Sequence, residues 1–399
     1  MNSSTKALDF IRKYTMIIAL VLVTVFFAWR TNGKLLLPSN VNNLIAQNAY
    51  VFVLATGMLL CILTGGNIDL SVGSVVCFVG ALSAVLMINA KINPVLAVLL
   101  CFLIGTAIGA WQAFWIAFVR IPPFIVTLSG MLIFRGLSNV VLKNGKTISV
   151  AKKTGFVSLF GGGANCYVKD FFHGSKINIT CLVATGLAIL IFVGLNVFNY
   201  IKRLKKQYEV EKMVPWIIKM TLISVAIGAF GFRLAQHKGI PNVLLIILGV
   251  VIIYSYLTSN TKIGRYFYAV GGNEKATKLS GINTNKVYFI AYTNMGLLAA
   301  LAGLITTARL VTATAQSGQS YEMDAIASCF IGGASAYGGI GTVPGVIIGA
   351  LLMGVINLGM NTMSVDQNMQ QVVKGLVLLA AVIFDVVSKR GGKLIAKNT

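Results

Sequence analysis

Charged residues are missing from long stretches of this chain, and apolar residues gather in blocks between them. Residues 35 to 68 carry no charge, nor do 70 to 90, 92 to 119, 177 to 201, 239 to 261 and 287 to 308. The run from 325 to 365 adds 41 uncharged residues, enough for two crossings. A helix needs roughly 20 apolar residues to cross about 30 Å of hydrocarbon. The pattern predicts an all-α, polytopic integral membrane protein with about ten to twelve transmembrane helices. Twelve segments are expected near 14–30, 44–63, 71–89, 94–118, 123–142, 177–200, 216–234, 241–257, 287–308, 324–337, 342–360 and 370–387. Pro94, Pro123 and Pro241 open their segments, where a missing N–H costs nothing. The first run, Tyr14 to Trp29, follows a short basic leader but precedes no small-residue cleavage site, so it reads as an uncleaved span.

Composition agrees with the pattern. Of 399 residues, 57% are hydrophobic and 11% charged, against about 25% charged in soluble domains. The formal charge of +23 would suggest nucleic acid in a soluble protein. Here the cations cluster in loops, where lipid headgroups and the positive-inside rule favour them, so no nucleic-acid partner is expected. With twelve spans and an inside N-terminus, 18 Lys and Arg fall inside and 12 outside, six of the latter in the loop 143–176. Both termini therefore read as cytoplasmic. The whole chain, 1–399, reads as a single transmembrane domain. Its soluble parts are an extracytoplasmic loop, 143–176, a charged cytoplasmic loop, 201–215, and a cytoplasmic segment, 259–286. Five of the six cysteines lie in apolar runs as small core residues, with no CxxC pair.

Enzyme chemistry finds little support. The two histidines, His173 and His237, lie beside loops without a metal-like partner, and no HExxH or GxSxG occurs. No catalytic or metal site is expected. Gly145-Lys146-Thr147 resembles the end of a phosphate loop, but Val140 stands where that motif needs its first glycine. Ion-coupled carriers often keep an acid at mid-membrane. Here Asp69, Glu322, Asp324, Asp366 and Asp385 all fall near span ends. Arg135, inside the fifth span, reads equally as a snorkelling or paired cation and as part of a pathway.

The most informative soluble stretch runs from Thr261 to Asn283. Gly271-Gly272-Asn273 is a breaker followed by a helix start, with Asn273 as N-cap and Glu274 at the positive end of the helix dipole. Gly281 is a helix stop. The physics describes a helix of about two turns between two spans, with a small apolar face that suits either an interfacial helix or docking into a partner's groove.

The string GRYFYAVGGNEKATKLSGIN at 264–283 resembles the cytoplasmic coupling segment of the ribose, xylose and galactose class of ABC-importer permeases. Further resembling blocks are TGGNIDLSVGS at 64–74, PPFIVTLSGMLIFRG at 122–136, ALAGLITTARL at 300–310, the stretch 321–360 and QQVVKGLVLLAAVIFDV at 370–386. The region 143–240 matches less well, and its added length looks like the xylose and multiple-monosaccharide branch. The resemblance implies a permease of the bacterial cell membrane, paired with a second permease copy. It implies one or more ABC ATPase subunits, an extracytoplasmic sugar-binding protein and a monosaccharide such as xylose or galactose. ATP and Mg would bind the partner ATPase, and no cofactor this chain. Carried over, Gly271, Gly272, Asn273, Glu274, Ala276, Thr277, Leu279, Ser280 and Gly281 would contact the ATPase. Translocation-path candidates are Asn67, Asp69, Ser71, Thr127, Phe330 and Ser335, with glycine-broken segments at 64–74 and 331–345. Gly341, Gly345 and Gly349 recur every four residues, which also suits a helix-packing face. A stand-alone ion-coupled sugar carrier is the alternative.

Overall fold

The computed structural model describes residues 3–174, 177–208, 210 and 212–395. Its first third comprises α1 (Ser3–Arg30), α2 (Pro38–Gln47), α3 (Ala49–Leu63), α4 (Val72–Ala84), α5 (Pro94–Ala117) and α6 (Pro123–Val141). A π-helical turn, Val85–Asn89, extends α4. The middle third holds β1 (Ile148–Ser149), α7 (Thr154–Leu159), α8 (Ile179–Lys205), α9 (Met213–Ala235) and α10 (Asn242–Asn260). The last third holds α11 (Lys262–Gly272), α12 (Glu274–Leu279), α13 (Thr284–Leu310), β2 (Thr312–Ala313), α14 (Tyr321–Ile331), α15 (Val343–Thr362) and α16 (Gln367–Ile395).

Among the described residues, eight helices are long and apolar enough to cross a membrane, and the pair α2–α3, bent by 42°, makes a ninth. The apolar part of α1, Thr15–Arg30, is shorter. One expected span needs correction. The segment 324–337 is no single helix: α14 has 11 residues and is about 16 Å long at 1.5 Å per residue. It then gives way to irregular chain from Gly332 to Thr342. Glycines prevent its continuation, since Gly333, Gly338, Gly339 and Gly341 all take positive φ. Gly332, Ala334, Ser335, Gly338 and Gly341 of this stretch are buried, while Tyr337 and Ile340 are exposed.

Helix α13 runs through the middle of the bundle, packed on α3, α4 and α5. Small residues let the backbones approach, as is usual between membrane helices. A Cβ on Gly296 would overlap Gly105 and Gly109 of α5, and one on Gly303 would press on Val76 of α4. The same logic joins α14 to α15, where Gly345 abuts the Gly332 carbonyl and Gly349 that of Ser328. Those two glycines belong to helix packing. In contrast, α8 and α9 pack mainly on each other, and only 6% of each apolar window is buried. They form the added hairpin at the edge of the bundle.

The loop after α6 is folded. Its β1 pairs antiparallel with β2, Ile148 opposite Ala313, and Tyr167 bridges to Pro241. This loop therefore covers the end of α13 that lies farthest from α11 and α12. Arg135 fixes the neighbouring chain by donating from Nη1 to the carbonyls of Ala315 (3.1 Å) and Ser317 (2.9 Å).

Candidate functional site

The segment between α10 and α13 forms two short helices. Thr261 caps α11, its Oγ1 accepting from the Gly264 N–H at 3.1 Å. A Cβ at Gly264 would overlap the carbonyls of Leu257 and Thr258, so glycine permits the sharp turn out of α10. Helix α11 buries Gly264, Phe267 and Val270, one face at three-residue spacing. Asn273 then caps α12, its Oδ1 accepting from the Ala276 N–H at 3.0 Å. The Thr277 hydroxyl is buried and within 2.8 Å of the carbonyls of Ala269 and Asn273, which folds α12 back on α11. Gly281, at φ +82°, ends the motif.

The carried-over residues divide by direction. Gly272, Asn273, Ala276, Leu279, Ser280 and Gly281 are exposed. Leu279 is 89% exposed, an apolar side chain at the tip. Glu274, Thr277 and Gly271 point into the chain. Glu274 Oε1 accepts from Arg120 Nη1 at 2.7 Å, and its Oε2 from the Tyr288 hydroxyl at 3.0 Å. Arg120 Nη2 also donates to Thr284 Oγ1 at 3.1 Å and to Asn285. The guanidinium carbon lies 5.5 Å from the centre of the Tyr288 ring, within cation–π range. Burial pushes the Glu274 carboxyl up, but the hydrogen bonds from Arg120, Tyr288 and Thr284 outweigh it and hold it below the usual glutamate range.

Gly271 marks a junction of three segments. A Cβ there would overlap the Leu63 carbonyl oxygen and the Gly339 N–H. Gly339 donates that N–H to the Leu63 carbonyl at 3.0 Å. Gly66 abuts the Ala336 carbonyl, and Gly65 touches Gly338. The two glycine-broken segments after α3 and α14 thus meet each other directly on top of α11. Asn67 belongs to this junction and donates to the Thr64 carbonyl at 3.1 Å.

The remaining path candidates make other contacts. Asp69 and Ser71 are spent on each other: the Asp69 carboxylate accepts from the Ser71 N–H (2.8 Å) and hydroxyl (2.6 Å). Gln112 of α5 donates to Ser71 Oγ at 2.8 Å, beside Gly130 of α6. The Thr127 hydroxyl is buried near the Phe124 carbonyl (3.4 Å). Phe330 is half-buried against the core. Ser335 is buried, and its Oγ accepts from the Tyr337 N–H at 3.1 Å.

A second polar cluster escaped sequence reading. Asp324 is fully buried, and its Oδ2 accepts from Tyr50 (2.6 Å), Lys374 (2.9 Å) and, at 3.5 Å, Asn357. Asp324 sits inside the bundle, not at a membrane-facing span end. Its partners are 274, 50 and 33 residues away, so no local motif could join them.

The family described as "Branched-chain amino acid transport system / permease component" matches residues 40–172 and 155–382. The xylose transport system permease protein XylH of Haemophilus influenzae is 36% identical over 377 residues, 94% of this chain and 96% of the relative. Its Escherichia coli K12 counterpart is 32% identical over 388 residues, 97% of this chain and 95% of the relative. The chain belongs to this permease family. The permease is also 34% identical to the ribose import permease protein RbsC of E. coli K12, over 87% of this chain and 85% of the relative. The xylose relatives thus span more of the permease than the ribose one does. No solved structure matches it. It is a multi-pass membrane component of a sugar-permease class and not an enzyme.

Proposed function

We propose that this permease forms the transmembrane path of an ATP-driven importer for a monosaccharide, with xylose the first substrate to try and ribose, galactose and other aldoses next. What carries the reading is the α11–α12 motif. It is capped at Asn273, tied inward through Glu274, and offers the exposed Leu279 to a partner. A short helix with one apolar tip suits a groove on a separate ATPase subunit, which would bind ATP and Mg. An extracytoplasmic binding protein would deliver the sugar to a pair of permease copies, with both termini in the cytoplasm. ATP would bring the two motor subunits together, the α11–α12 segments would move with them, and the pair would open outward. Hydrolysis would reset the assembly.

Displacement of α11 would reach the two glycine-broken segments directly, because Gly271 abuts Leu63 and Gly339. Asn67, Asp69, Ser71, Phe330 and Ser335, which lie in or beside those breaks, and Thr127 of α6 are the path residues proposed on this reading. A second reading, an ion-coupled carrier, draws on the buried Asp324–Lys374 pair, since intramembrane acids often mark ion paths. Reconstitution separates the two. The permease in vesicles with its ATPase and binding protein should take up labelled xylose only when ATP is present. Uptake driven by a proton or sodium gradient, with the permease alone, would overturn the importer reading.

A further inference from the structure

A cavity of about 620 Å³ opens at the end of α13 that lies away from α11 and α12. Its walls come from the α2–α3 bend, the start of α14, the last turns of α15 and the first turns of α16. None of Asn67, Asp69, Ser71, Thr127, Phe330 or Ser335 lines it. Resting on the reading of this chain as a sugar permease, we propose that this cavity is a monosaccharide-binding site of the permease.

The lining chemistry selects a neutral polyol. Eight of the seventeen lining residues are Asn or Gln, and none is a carboxylate. Each side-chain amide both donates and accepts, as a sugar hydroxyl does. An apolar ligand would leave these groups unpaired. The lining cations are Arg309 and Lys374. Asp324 neutralises Lys374 from behind the wall at 2.9 Å, which weakens any preference for an anion.

One lining residue has hydrogen-bonding capacity to spare. Asn357 lines the cavity and is 5% exposed. Its Nδ2 donates to Asn48 Oδ1 at 3.1 Å, while its Oδ1 has no partner. That oxygen is closed off from the open space, and a turn of the Asn357 amide would bring it to a ligand hydroxyl. Tyr50 and Tyr321 stack at 3.4 Å in the same wall, and the partly exposed Tyr321 offers an aromatic surface to the C–H side of a sugar ring. The volume lies within the roughly 300–1,000 Å³ of small-molecule sites. The α2–α3 break beside it is the kind of interruption at which transporter helices bind substrate.

The test uses the permease assembled with its ATPase and binding protein in vesicles. Gln371→Cys, on the cavity wall, is treated with a small charged methanethiosulfonate, with xylose or osmotically matched sucrose present. The wild type, whose six cysteines are all buried, sets the background. Xylose at about ten times its dissociation constant should slow modification about tenfold, and the modified complex should lose uptake while still hydrolysing ATP. Equal rates in xylose and sucrose, or full uptake after modification, overturn the proposal. If Gln371→Cys does not assemble, Gln367→Cys is read the same way. No modification of either variant means that another chain or lipid fills the cavity, which also overturns it. Failure of the wild type to take up any aldose instead brings down the importer reading itself.

Discussion

Arg120, in the turn between α5 and α6, holds Glu274 of α12 at 2.7 Å. Tyr288 of α13 binds the same carboxylate from the other side at 3.0 Å. The first turn of α12 is therefore clamped between the α5–α6 turn and α13, while Leu279 at its far end stands free. On the proposed reading, this clamp would transmit displacement of the short helix to the bundle. Arg120→Ala and Glu274→Gln should each lower sugar uptake per ATP hydrolysed several-fold, with the permease still co-purifying with its ATPase. Arg120→Lys should recover part, because an ammonium keeps the charge but loses the fork that reaches Thr284 and Asn285. An unchanged uptake-to-hydrolysis ratio in the Ala variant would remove the clamp from the mechanism.

The same pair sets a pH dependence. The folded Glu274 carboxyl lies below its ordinary value. Its contribution is thus fully present above the ordinary glutamate range, near pH 4.5, and is lost as pH falls through the lowered folded value. Amide exchange in α12 should stay constant from neutral pH down to about pH 5, after correction for the intrinsic rate, and rise only in stronger acid. Glu274→Gln should lack that acid step.

Asn273 is the N-cap of a helix with six residues, too short to hold itself without its ends satisfied. Asn273→Ala should destabilise α12 locally by about 1 kcal/mol, seen as faster exchange confined to residues 273–281. Asn273→Ser keeps an accepting oxygen and should behave almost as wild type.

Adjacent glycines should respond in opposite ways. A Cβ on Gly271 collides with the backbone of Leu63 and Gly339, whereas one on Gly272 meets nothing within 4 Å. Gly271→Ala should lower thermal stability and loosen the junction of the two broken segments. Gly272→Ala should leave the isolated permease unchanged, so any loss of ATPase binding in it reports the docking surface alone. Leu279→Ser, at a site 89% exposed, should likewise weaken co-purification of the ATPase without lowering stability.

What could be read in advance follows from interaction range. Apolar runs and proline starts exposed α5, α6 and α10, because those signals are local. The cap at Asn273 was legible for the same reason. The segment 324–337 misled because apolar content cannot distinguish a whole helix from half a helix followed by glycine-rich chain. Asp69 and Ser71 drew attention as polar residues in an apolar block, but Gln112, 41 residues on, absorbs Ser71. Arg120 and Tyr288 are far apart in sequence and meet only in the folded bundle. Asp324 and Lys374, 50 residues apart, needed the packing of α16 on α14 to become a pair.

That pair supports a last prediction. Asp324 is fully buried and the Lys374 side chain 15% exposed. Removing the cation strands a carboxylate that cannot regain water. Lys374→Met should therefore cost about 3–5 kcal/mol, read as a large drop in the midpoint of thermal inactivation in detergent. Asp324→Asn combined with Lys374→Met leaves no charge and keeps acceptors for Tyr50, so most of the stability should return. The double variant then also tests the ion-coupled reading. If it is stable and still imports sugar with ATP, the charges organise the bundle and carry no coupling ion. If it is stable but transports nothing, the pair belongs to the transport mechanism as well as to the fold.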